Sequence, residues 1–160
     1  MLKISQKNKT MKNLFLILFV LVSTFGNAQN VGVNNANLSN GIAVQGFDVV
    51  SYFKENKALK GKKEFSVKHN GAIYYFKSKE NKDAFIKKPS AYEPQYGGWC
   101  AFAMGDYGEK VEINPETFKI VDGKLYLFYN AYFTNTLKSW NKNESTLKAK
   151  ADSNWKKITS

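Results

Sequence analysis

The segment Phe65-Ser66-Val67-Lys68-His69-Asn70-Gly71-Ala72-Ile73-Tyr74-Tyr75-Phe76 decides the fold class. Residues 65 to 69 alternate apolar and polar, the period of a strand with one buried face. Asn70-Gly71 is a strong hairpin signal, because a type I′ turn needs φ > 0 at both central positions. Ala72 to Phe76, rich in β-branched and aromatic side chains, is the return strand. The same turn chemistry recurs where Asp122-Gly123 separates Phe118-Lys119-Ile120-Val121 from Lys124-Leu125-Tyr126-Leu127-Phe128-Tyr129.

Helical signals lie between and after the hairpins. Ser78 is an N-cap with Glu80 in the positive first turn, Ala84, Phe85 and Ile86 supply the apolar face, and Pro89 stops the helix. Asp48 caps a helical turn through Val49 to Phe53. Phe133 to Trp140 and Ser145 to Trp155 place Leu137 with Trp140, and Leu147 with Ala151 and Trp155, at helical spacing. Ile42-Ala43-Val44 reads as a first strand, Lys54 to Lys63 as a loop, Val111 to Ile113 as a brief extended piece, and Asn114-Pro115-Glu116 as a turn. The expected fold is α+β: a small antiparallel sheet built from two β-hairpins, covered by short helices.

The first 28 residues read as a targeting segment. Lys3, Lys7, Lys9 and Lys12 precede the apolar run Leu14 to Val22, and Gly26-Asn27-Ala28 places small residues before a cleavage site after Ala28. The run is too short for a bilayer span of about 20 residues. The expectation is an exported protein, periplasmic or extracellular, with no transmembrane span after removal of the leader. Residues 29–40, with five asparagines from Asn30 to Asn40, read as a flexible lead-in to a single domain over 41–160.

The chain carries +11, or 11 − 4 = +7 without the four lysines of residues 1–28. All 24 cations are lysine, and the absence of arginine argues against sequence-specific nucleic-acid recognition, which relies on arginine's planar fork. A lysine surface is compatible with screened attraction to anionic polymers or lipid headgroups, and equally with simple solvation.

The chemistry-bearing stretch is Tyr92-Glu93-Pro94-Gln95-Tyr96-Gly97-Gly98-Trp99-Cys100-Ala101-Phe102-Ala103-Met104, which holds the one cysteine. Gly97-Gly98 turns the backbone, and Trp99 to Met104 reads as a short buried helix with Cys100 in its first turn, where free N–H groups favour a thiolate. Met104, four residues on, is expected on the same face. His69 is the one imidazole, and it flanks a tight turn. Twenty-four aromatic residues exceed what a small core usually absorbs, so Tyr52, Tyr96, Trp99 and Tyr107 are candidates to line a pocket, or else to fill a core.

Asn70-Gly71-x-x-Tyr74-Tyr75-Phe76-x-Ser78-x-Glu80-Asn81-x-x-x-Phe85-x-x-x-Pro89-x-x-Tyr92 resembles the YHS domain. Gly46-Phe47-Asp48-x-Val50-x-Tyr52-Phe53, Tyr96-Gly97-Gly98-x-Cys100-Ala101 and Asp122-Gly123-Lys124-Leu125-Tyr126-Leu127 resemble its exported, single-domain branch. The resemblance implies heavy-metal or copper handling. The cysteines that the archetype places around its Tyr-Phe-Cys-Ser segment are here Lys77 and Asn81, so that metal motif is missing.

Three readings of the site stay open. One is a binding module for a small ligand or a metal ion around Cys100, with Asp48, Tyr52, Tyr96 and Trp99 beside it. A soft metal such as Cu(I) would use Cys100, Met104 and His69. The second is an aromatic-rich structural or interaction domain with Cys100 buried. The third is a cysteine-dependent enzyme, which commonly needs His69 as the base within reach of the thiol.

Overall fold

The computed structural model describes residues 33–160. The expected leader and residues 29–32 lie outside the described residues. Both expected hairpins form: β3 (Lys62–His69) pairs antiparallel with β4 (Ala72–Phe76), and β5 (Asn114–Val121) with β6 (Lys124–Phe128). Asn70 and Gly71, and Asp122 and Gly123, all take positive φ, as a type I′ turn requires. The fold is α+β, with strands in small sheets and helices packed against them.

The hairpins do not merge into one sheet. The first belongs to a four-stranded sheet in the order β1-β2-β4-β3, with β1 at Leu38–Ser39 and β2 at Ile42–Ala43; β2 runs parallel to β4. The second hairpin stands apart, and β6 is flanked on its other side by the 94–100 segment, which bridges in parallel from Pro94 to Leu125 and from Cys100 to Leu127. Two further hairpins have two-residue strands: β1 pairs antiparallel with β2 around Asn40-Gly41, and β7 (Asn130–Ala131) with β8 (Thr134–Asn135).

Several boundaries differ from the sequence reading. The chain is engaged with the fold well before Gly41: Asn37 N–H donates to Gly97 O, and β1 pairs with β2. Val44 leaves the strand because it and Gln45 take positive φ. Residues 111–113 form no strand, whereas Asn114 already pairs with Phe128 across a bulge. The helix expected from Phe133 begins only at Thr136, since Thr134 and Asn135 are in β8 and Asn135 caps Leu137 N–H.

The helices are α1 (Val49–Glu55), α2 (Lys79–Lys87), α3 (Ala101–Asp106), α4 (Thr136–Lys142) and α5 (Glu144–Thr159). They divide the interior in two. One cluster joins the four-stranded sheet to β6 through Val49, Val50, Tyr52, Phe76, Phe85, Leu125 and Leu127. The other lies under α4 and α5 and holds Tyr96, Met104, Tyr126, Phe128, Trp140 and Leu147. Helix α3 sits between them. At Gly105 a Cβ would lie 2.5 Å from the Leu147 carbonyl oxygen, so this close crossing of α3 and α5 requires glycine. Among the described residues, no helix is long and apolar enough to cross a membrane.

Candidate functional site

Cys100 is the N-cap of α3 rather than a residue of its first turn, and its ψ of 116° is not helical. This swings the side chain off the face that the i, i+4 spacing assigned to it. Cys100 packs in the first interior cluster and Met104 in the second, so thiol and thioether are divided between the two. The sulfur does not cap the helix. Instead Tyr129 N–H donates to Sγ at 3.3 Å, and Sγ lies 3.4 Å from Thr136 Oγ1.

The direction of the second contact follows from proton counting. Thr136 has one hydroxyl proton, and that O–H donates to Tyr129 O at 2.9 Å. The Cys100 thiol therefore donates to Thr136 Oγ1. The result is a closed ring of three hydrogen bonds in which one backbone unit, Tyr129, supplies both the first donor and the last acceptor. Thr136 also opens α4, and its own N–H donates to Tyr129 O at 3.0 Å, which fixes the ring to the helix start.

This ring lies at the base of an open hollow of about 340 Å³. Phe102, Tyr107, Val111 and Tyr129 form its apolar and aromatic wall. Thr134 and Ser139 add hydroxyls to those of the ring. No lining residue is charged, although the chain has 24 lysines. Cys100 itself is 0% exposed, so its sulfur belongs to the floor and not to the open face.

The other candidates are placed elsewhere. Asp48 caps α1 through Val50 N–H at 2.8 Å and accepts from Lys77 N–H at 2.9 Å and Asn81 Nδ2 at 2.7 Å, so its buried carboxylate is structural. Tyr52 is buried and donates to Pro115 O at 2.8 Å. Burial, then the negative Asp48 and Glu116, push its phenol well above the usual range. Trp99 is pinned by Nε1 donating to Asn35 O at 2.8 Å.

Tyr96 and His69 line a second, larger cavity of about 660 Å³. Tyr96 O–H donates to Asp152 at 2.9 Å; burial first, and then this bond, push its phenol far up. His69 Nε2 lies 3.1 Å from Glu93 Oε1 and 3.0 Å from Asn70 Nδ2. Cys100, Met104 and His69 are therefore not assembled into one metal site, and Cys100 has no imidazole hydrogen-bonded to it. Among the described residues, no group of three or more His, Cys, Asp or Glu could hold a metal ion. The copper that the YHS resemblance implies does not fit this donor set, which offers one sulfur with a single hydroxyl oxygen and a backbone N–H beside it, where Cu(I) prefers several soft ligands.

Sequence reasoning located Cys100 and missed Thr136 and Tyr129. The usable signal was Asn135-Thr136 at a helix start. Nothing local ties that cap to a cysteine 36 positions earlier. Comparisons of the chain with protein-family models, with curated proteins and with solved structures find no match.

Proposed function

We propose that this chain is an exported, YHS-like binding module whose site is the hollow above Cys100, and whose occupant is a small uncharged molecule with both an apolar face and a hydrogen-bonding group. The observation that carries the reading is the wall chemistry: hydroxyl groups and aromatic faces without a single charge, in a lysine-rich chain. A volume of about 340 Å³ lies at the small end of ligand sites. The Cys100–Thr136–Tyr129 ring holds the floor, and Thr136 keeps a free acceptor lone pair for a ligand donor. Full burial of the sulfur favours a second reading, in which Cys100 only supports the fold.

Fragment screening by NMR separates them. Neutral fragments are expected to perturb Tyr107, Val111 and Thr134, and V111W, which fills the hollow, is expected to remove those shifts. Equal binding of charged fragments of the same size, or neutral hits indifferent to V111W, defeats the proposal. Iodoacetamide, itself small and neutral, is expected to label Cys100 in the folded protein, and faster in T136V, where the ring is opened. Labelling that occurs only at the rate of global unfolding leaves the supporting role alone. Cu(I) affinity is expected to be unchanged in C100S, M104L and H69N, which rules out the soft-metal alternative; a marked loss in all three would restore it.

A further inference from the structure

The β7–β8 hairpin turns on Tyr132-Phe133, where the other three hairpins turn on Asn40-Gly41, Asn70-Gly71 and Asp122-Gly123. Tyr132 is 97% and Phe133 108% exposed, and neither ring pairs with another aromatic among the described residues. Tyr132 also sits at φ +53, a left-handed conformation that costs a non-glycine residue about 1–2 kcal/mol. Two large rings in water and a strained backbone contribute nothing to folding. The base of the hairpin, by contrast, is well held. Asn130 Nδ2 donates to Thr117 Oγ1 at 2.9 Å, Asn114 Nδ2 donates to Asn130 O at 3.3 Å, and Asn135 caps α4. A fixed base therefore displays a protruding aromatic tip.

We propose that this tip docks the protein on a lipid bilayer that carries anionic headgroups. Aromatic side chains are favoured at the depth of the headgroups, where ring and polar edge are both accommodated. The charge of the local sequence agrees: the twenty residues from Lys124 to Asn143 contain three lysines and no acid, and exposed Lys138 has no acidic partner among the described residues, against one exposed acid, Glu116, between the Asn114 and Thr117 that hold the hairpin base. Each lysine near an anionic surface adds an attraction that weakens with salt. Size argues against a protein partner, since a two-residue point falls far short of the roughly 800 Å² per side of a stable protein interface. Tyr107, also exposed, stands beside Asp106 and Glu109, which raise its phenol and would be repelled by the headgroups. Docking is thus through the hairpin and not through Tyr107.

The test uses the exported protein, its processing checked by mass, with vesicles of phosphatidylcholine alone or mixed with phosphatidylglycerol. Co-sedimentation with the mixed vesicles is expected, weakening with salt. A F133W reporter is expected to shift its emission to the blue on binding by more than the parent, whose Trp99, Trp140 and Trp155 set the baseline, so that the difference is the readout local to the tip. Y132N/F133S is expected to lose about tenfold or more in vesicle affinity, as removal of one inserted ring implies, with unchanged circular dichroism. Y107S is expected to bind like the parent. Absence of binding to mixed vesicles overturns the proposal. So does binding that persists in Y132N/F133S with no emission shift in F133W, which marks lysine adsorption alone. Self-association in ultracentrifugation that the tip variant abolishes, without vesicle binding, assigns the tip to a second copy of the chain instead.

Discussion

Replacing Asp48 by asparagine tests whether this buried carboxylate is a structural acceptor. One carboxylate oxygen accepts from Val50 N–H and the other from both Lys77 N–H and Asn81 Nδ2. An amide of the same shape has one oxygen and one NH2. With its oxygen towards Lys77 and Asn81, the NH2 faces the Val50 N–H; in the flipped orientation, two donors are stranded. The better orientation leaves the Val50 N–H and the new NH2 facing each other as unmatched donors, at about 1–3 kcal/mol, and reduces two charge-assisted bonds to neutral ones, at about 1 kcal/mol each. The expected loss is about 3–5 kcal/mol, a large share of the roughly 5–15 kcal/mol typical of a domain. Urea unfolding followed by tryptophan fluorescence reads it as a lower midpoint by about 1–2 M. N81D alone sets two carboxylates together and is also destabilising. D48N/N81D restores one amide–carboxylate bond, so its loss is expected to fall short of the sum by at least about 1 kcal/mol. A D48N midpoint equal to the parent's, or strict additivity in the double variant, refutes the reasoning.

Alkaline pH is expected to unfold the protein through its tyrosines. Burial is the main cause that raises Tyr52, Tyr74 and Tyr96 above the ordinary value of 10.0, with Asp48, Glu93 and Asp152 respectively adding to it. Above pH 10.0 the unfolded chain releases these protons and the folded chain keeps them, so stability present below that pH is lost as pH rises, by up to about 4 kcal/mol per pH unit for the three. Phenolate absorbance should rise in two phases, the second coincident with loss of circular dichroism; a single reversible phase contradicts this. Y52F should flatten the pH slope by about a third while costing about 1 kcal/mol at neutral pH for the lost bond to Pro115. G105A forces a Cβ against the Leu147 carbonyl and should destabilise by about 2–3 kcal/mol in thermal unfolding; an unchanged melting temperature would show that α5 can move aside freely.

Much of the fold was legible because its signals are local. Asn70-Gly71 and Asp122-Gly123 dictate their turns through φ alone, and Ser78 and Asp48 cap helices through residues two or three positions on. The β7–β8 hairpin was not legible, since Ala131-Tyr132-Phe133-Thr134 carries no turn residue and its shape is imposed from the base. The entry of the chain was missed for a similar reason: the asparagines of residues 34–37 look solvated, yet they bond to Gly97, Gly98, Trp99 and Lys110, sixty or more positions away. At the site, the cysteine was visible and its surroundings were not. A non-helical ψ at Cys100 separated it from Met104, and a threonine hydroxyl on a distant helix replaced the imidazole that residue chemistry pointed to.

The two interior clusters also bear on motion. Helices α4 and α5 rest on the second cluster, whose Trp140 Nε1 is the one buried side-chain polar atom without a hydrogen-bond partner among the described residues. An orphaned donor of this kind costs about 1–3 kcal/mol in its own neighbourhood, so opening of α4 and α5 ahead of the sheet is the excursion expected first. Thr136 begins α4 and holds the Cys100 thiol, so each such excursion also unlatches the sulfur. Hydrogen exchange at the helix amides and access to the thiol are thereby joined as two views of one fluctuation.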